Sequence, residues 1–245
     1  MITLRHLALV TVFAFMNTRG AKAAFSLDFE SGGVWNVSNN VQIPTNSGTR
    51  FSLTNDLKSD AAVYFRAGGT WHINDRHSLS FLFAPLRTES FGALSGDTLF
   101  AGSRFQGGVP TDANYRFDSY RLTYRYNFFQ TEKVTFGLGI TANVRSAKIE
   151  LNQGGINAYD DNLGIVPLAN FRFEWRFAPR LSFLAEGDAL YSSRGRIEDV
   201  LAAIQWQAND NLSLRLGYRL LEGGADSVYN FARFNQLAAG LTWKF

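Results

Sequence analysis

Residues 120–128 read YRLTYRYNF and residues 134–145 read VTFGLGITANVR. In the first stretch Tyr120, Leu122, Tyr124, Tyr126 and Phe128 alternate with Arg121, Thr123, Arg125 and Asn127. In the second, Val134, Phe136, Leu138, Ile140, Ala142 and Val144 alternate with Thr135, Gly137, Gly139, Thr141, Asn143 and Arg145. A period of two is that of an extended strand, whose side chains point to opposite faces in turn. Gln130-Thr131-Glu132-Lys133 between them is polar turn chemistry. The two stretches therefore predict a hairpin with one apolar face and one face that carries arginine.

The same alternation recurs around residues 25–30, 63–73, 79–83, 171–177, 181–185, 200–206, 212–220 and 237–245. Short connections at 74–77, 130–133, 178–180 and 209–211 alternate with longer ones near 44–60, 88–114, 152–163, 192–196 and 223–231. Tight turns at one end and long loops at the other describe a membrane barrel with periplasmic turns and extracellular loops. The prediction is an all-β chain: a closed antiparallel transmembrane β-barrel of ten strands, both termini periplasmic. The pattern also allows eight or twelve strands.

Composition narrows the function classes. With 22 Phe, 9 Tyr and 5 Trp in 245 residues the chain is too aromatic for disorder. It has no Cys, so disulfide scaffolds and thiolate-ligated metals are excluded. No run of 18 apolar residues occurs, so no helix is predicted to span a bilayer. Residues 1–23 read as a secretory leader: Arg5 is basic, residues 7–16 are apolar, and Ala21-Lys22-Ala23 is a small-x-small cleavage pattern. Cleavage near Ala23 leaves residues 24–245 as a single barrel domain. The leader holds Arg5, Arg19 and Lys22, three of the 24 basic residues, and none of the 21 acidic ones. The rest of the chain is formally neutral, so the pI of 9.2 gives no case for nucleic acid.

A soluble barrel alternates too, and the distinction lies in which face meets water. Phe25, Trp71, Phe128, Phe177, Trp206, Trp243 and Phe245 sit at the turn ends of the apolar face, like an aromatic girdle at a membrane interface. Gly137, Gly139, Gly217 and Gly240 sit on the charged face, where a crowded lumen needs small residues beside long arginines. The end of the chain, AAGLTWKF over 238–245, resembles the C-terminal assembly signal of Gram-negative outer-membrane β-barrel proteins: Phe245, Trp243, Leu241 and Gly240 match, while Ala238 stands where a polar residue is usual. The resemblance implies residence in the outer membrane of a Gram-negative bacterium, with outer-membrane lipid, lipopolysaccharide and the barrel assembly machinery as partners. A monomer is expected.

Fold does not supply function in this class. The charged face holds Asp28, Glu30, Arg66, Arg121, Arg125, Arg172, Glu174, Glu186, Asp188, Arg215 and Arg219 at mid-bilayer depth. Opposite charges there should pair, because an unpaired one is costly. The nearest partners in sequence are Asp28 and Glu30 with Arg66, Glu186 with Arg172, and Asp188 and Asp199 with Arg219. Such a lumen is a salt-bridged plug or, in the alternative, a narrow diffusion channel for small solutes. Above the apolar band, the lipid-facing parity meets a cation on five strands: Arg87, Arg116, Lys148, Arg196 and Arg233. These are candidates for contact with lipid phosphates. Of the three histidines, His6 leaves with the leader, and His72 and His77 flank a periplasmic turn. The extracellular rim thus lacks the usual general base, so no enzyme, cofactor or metal is expected, with a surface enzyme of the outer membrane as the weaker alternative. The role expected is structural, or binding through surface loops.

Overall fold

The 120–145 hairpin lies in the middle of a sheet that closes on itself. The computed structural model describes residues 24–193, 195–225 and 229–245. The expected leader, with its cleavage site, lies outside the described residues. Among the described residues fourteen strands run in order β1 (Ala24–Gln42), β2 (Phe51–Ser52), β3 (Leu57–Ser59), β4 (Ala62–His72), β5 (His77–Ala93), β6 (Thr98–Phe100), β7 (Ser103–Phe105), β8 (Pro110–Gln130), β9 (Val134–Gln153), β10 (Ile156–Ala178), β11 (Leu181–Ser192), β12 (Gly195–Gln207), β13 (Leu212–Ala225) and β14 (Tyr229–Lys244). The ten long strands pair antiparallel with their sequence neighbours, and β14 pairs with β1 from Ser26↔Lys244 to Gln42↔Tyr229. Closure removes the sheet edge, which is what allows strands to cross lipid.

The alternation read from sequence sorts the faces as expected. Val63, Ile140, Leu216 and Trp243 point outward and are exposed, while Glu30, Arg66, Arg121 and Arg219 point inward and are buried. The girdle residues Trp71, Phe128, Phe177, Trp206 and Phe245 are exposed on the outside near the tight turns. An apolar exterior around a charged interior is the arrangement for a barrel in lipid, inverted from that of a soluble one.

In three of the five long connections most of the described residues belong to strands. The 152–163 segment is the top of the β9–β10 hairpin, which turns on Gly154 and Gly155 with φ of 53° and 89°. Two successive positive-φ residues make the turn type whose twist matches the flanking strands, so pairing runs to the tip. Likewise β11 and β12 pair as far as Ser192↔Gly195, and β13 reaches Ala225. The first two connections are true loops, and they fold over the mouth. Phe51–Ser52 pairs with β1, Leu57–Ser59 pairs with β5, and Thr98–Phe100 and Ser103–Phe105 form a hairpin. The loops are joined by Thr49 N–H to Leu99 O (2.9 Å) and Ala101 N–H to Ile43 O (3.0 Å). Phe100, Phe105, Leu53 and Leu57 are fully buried beneath this cap, together with Phe51 and Leu94. The interior is thus apolar in its upper half and ionic in its lower half.

Candidate functional site

Strand parity places all eleven sequence-predicted lumen residues inside the barrel, and it adds Asp199. Four guanidiniums meet four carboxylates across the lumen. Asp199 on β12 accepts from Arg66 (2.9 Å) and Arg219 (2.6 Å) and forms an ion pair with Arg121 (2.7 Å). Glu30 accepts from Arg219 (2.7 Å) and Arg215 (2.9 Å), and from the Tyr64 hydroxyl (3.0 Å). Asp28 takes both Nη atoms of Arg215 (2.5 and 2.8 Å). Asp188 accepts from Arg121 (2.8 Å), Thr141 (2.6 Å) and Asn170 (2.8 Å). Every charge in this set has a partner of opposite sign, which is the condition for a buried ionic group to be tolerated.

The partners differ from those read along the sequence. Arg66 lies beside Glu30 in the β1–β4 register but only at 3.9 Å, and it turns to Asp199 instead. Asp28 belongs to Arg215, not Arg66, and Asp188 belongs to Arg121, not Arg219. Sequence adjacency favours the next strand, whereas a long arginine in a narrow barrel reaches straight across. The Arg172–Glu186 pair (2.5 Å) is as expected, with Glu174 at 3.2 Å from the same guanidinium. Arg125 donates to Asn170 Oδ1 (2.8 Å). The Asp199–Arg219 pair (2.6 Å) is also as expected, and the structure adds Arg66 and Arg121 to the same carboxylate.

Gly240, one of the four assembly-signal residues, has a second role here. A Cβ at this position would lie 2.6 Å from Arg215 Cζ. The bare backbone is what lets that guanidinium lie flat against the wall. Leu241 and Trp243 face outward on the same strand, and Phe245 N–H closes onto Phe25 O (2.8 Å).

Below the cluster, a polar vestibule of about 520 Å³ lies towards the short-turn end. His72 stands at its rim, 3.3 Å from Ser26 Oγ. His77 is outside, with Nδ1 2.6 Å from the Tyr124 hydroxyl and its ring near Tyr126. Above the cluster is a second cavity of about 370 Å³ with mostly apolar walls, Ile43 of the first loop among them.

All five belt cations lie on the outer face, each beside a carboxylate. Arg87 binds Asp118, and Arg116 approaches the same carboxylate at 3.9 Å. Lys148 pairs with Glu150 (3.0 Å) and lies over the Tyr159 ring, while Arg196 and Arg233 share Glu222. Hydrogen bonds from Asn157 and Lys148 hold the Glu150 carboxyl below the ordinary range, whereas burial and the neighbouring Asp161 raise that of Asp160.

No protein-family model matches the sequence, and no curated protein does. Among solved structures, the chain is similar to the outer membrane protease OmpT of Escherichia coli, with 10% identity, 91% of this chain and 97% of that one covered, and a TM-score of 0.53. The fold is that of the Gram-negative outer-membrane β-barrels. The translocator domain of the autotransporter NalP from Neisseria meningitidis (10% identity, 93% and 90% covered, TM-score 0.47) and Ail, the attachment invasion locus protein of Yersinia pestis (12% identity, 90% and 99% covered, TM-score 0.41), align more loosely. At these identities the likeness extends to the barrel and not to any site within it.

Proposed function

We propose that this chain is a non-conducting, non-enzymatic barrel of the outer membrane that works by binding at its extracellular end. The cross-lumen cluster carries the reading. Arg66, Arg121 and Arg219 converge on the fully buried Asp199 from three other strands. The interdigitated loop cap supports it from above. The absence of catalysis is supported by the position of His72 and His77 at the end where β1 begins and β14 finishes, away from the cap. The outward cations support contact with lipopolysaccharide: Arg87 and Arg233 keep 55% and 48% of their side-chain surface exposed while sharing Asp118 and Glu222 with a second cation. The polar vestibule favours a second reading, a narrow channel. Reconstitution of the purified protein in a planar bilayer separates them. A flat current trace is expected, and steady unitary conductance overturns the closed-barrel reading.

A further inference from the structure

The barrel wall has two places where neighbouring strands part, and they are treated differently. On one side, the β4–β5 ladder has no pair above Ala67↔Phe83. There the first loop supplies β3, which pairs with β5 at Leu57↔Gly92, and only about 10 Å³ of space remains behind the gap. On the other side, the β10–β11 ladder has no pair above Ala169↔Ala189. β10 continues upward through residues 156–168, held by β9 alone, while β11 ends at Ser192. Among the described residues no strand pairs with that edge. Both gaps carry a proline on the taller strand, Pro85 in β5 and Pro167 in β10. Proline has no N–H for a ladder, so it is tolerated where a strand has an edge.

Behind the open gap lies the 370 Å³ cavity, its walls mostly apolar, with Arg145, Asp160 and Asn162 also on its lining. Its inner wall includes Tyr115, Ile149, Ile197, Leu221 and Phe234. Ile165 and Arg196, which face outward, also line it, so the cavity reaches the outer surface at the gap. Leu163, Ile165 and Tyr191 flank the opening at 74%, 75% and 84% exposure. Tyr191 is ten residues above Leu181 at the other end of β11. At ~3.3 Å per residue and a tilt of ~40°, that is roughly 25 Å, the height of the apolar band and therefore the outer-leaflet boundary. Ile43 of the first loop and Ser192, Gly195 and Ala225 at the tips of β11, β12 and β13 complete its lining. The gap gives it a lateral route to the outer leaflet.

We propose that this gap admits one acyl chain of an outer-leaflet amphiphile into the cavity. The proposal rests on the closed-barrel reading and gives the binding end a ligand class. The volume lies near the bottom of the ~300–1,000 Å³ range of ligand pockets, suited to a single chain and not to a whole diacyl lipid. Irregular or unpaired backbone at membrane depth is tolerated where it lines a cavity or meets polar groups. An amphiphile whose head stays at the rim supplies both.

The test is photo-crosslinking in phosphatidylethanolamine/phosphatidylglycerol vesicles with a diazirine on the acyl chain, presented in one arm as free palmitate and in the other as phosphatidylethanolamine. Labels on inward Ile149, Ile197, Leu221 or Phe234 are expected, and the arm that produces them says whether the chain comes from a free acid or a membrane lipid. Ala232 and Ala147 line the cavity, and Ala232→Trp or Ala147→Trp should abolish those labels while labels on outward Ile140 and Leu216 persist. The gel shift of a folded barrel shows which variant has folded. Labels confined to outward residues in both arms, or inward labels that survive in the folded Trp variants, overturn the proposal. Conductance read on the same preparation reports the closed-barrel reading separately.

Discussion

Replacing Asp199 by Asn keeps the shape of the side chain and removes a charge that three guanidiniums share. Asp199 has no exposed surface, and the side chains of Arg66, Arg121 and Arg219 are 9%, 2% and 5% exposed, so water does little to screen the loss. The amide of the new asparagine can still accept, but its NH₂ turns two donors towards arginine donors. Arg219 retains Glu30 and Arg121 retains Asp188. Arg66 is left with Glu30 at 3.9 Å. Breaking a buried ionic group from one side costs about 3–5 kcal/mol. With a urea slope of ~1–3 kcal/mol per molar, the unfolding midpoint should fall by at least ~1 M. Tryptophan fluorescence in lipid vesicles follows the transition, and the unboiled fraction that migrates as a folded barrel in SDS gives an independent measure. Asp199→Asn with Arg66→Gln should recover part of the loss, because the stranded cation is removed. A midpoint within ~0.3 M of the parent, with no change in conductance, refutes the claim that the cluster holds the lumen shut, since that shift amounts to less than ~1 kcal/mol.

Gly240→Val should displace Arg215 from Asp28 and Glu30, lowering the urea midpoint and the yield of folded barrel, and parent-like values of both would contradict the close approach seen at this position. Phe245→Asp should reduce the amount of protein reaching the outer membrane, as read by membrane fractionation; parent-like levels would count against the C-terminal resemblance. Exchanging Arg116, Lys148 and Arg233 together for Gln should lower the lipopolysaccharide that co-purifies with the protein, whereas the same exchange at Arg50, Lys58 and Arg104 should not. Equal retention in the two triples would remove the belt from the lipid-contact reading.

Strand number, face parity and the ends of the tight turns were legible in the chain because each depends on neighbours one or two residues apart. Tyr120 and Arg121 point opposite ways whatever the rest of the protein does. That the arginine face is inside follows from adjacent residues too, through the girdle aromatics and the glycines that arginine needs beside it. Other features depend on positions far apart in the sequence and were settled only by closure. Arg66 and Asp199 are 133 residues apart, and they meet because the two ends of the sheet join and bring β4 and β12 to opposite sides of one narrow lumen. The height of the wall is also a tertiary property: Gly154-Gly155 lets β9 and β10 pair to their tip, while β11 and β12 turn early, and the difference leaves the gap. Pro167 was visible in the sequence, but a proline marks an edge only once it is known which neighbour is missing. Alternation is a local consequence of backbone geometry; pairing across the lumen and gaps in the wall are consequences of how the strands are staggered when the sheet closes.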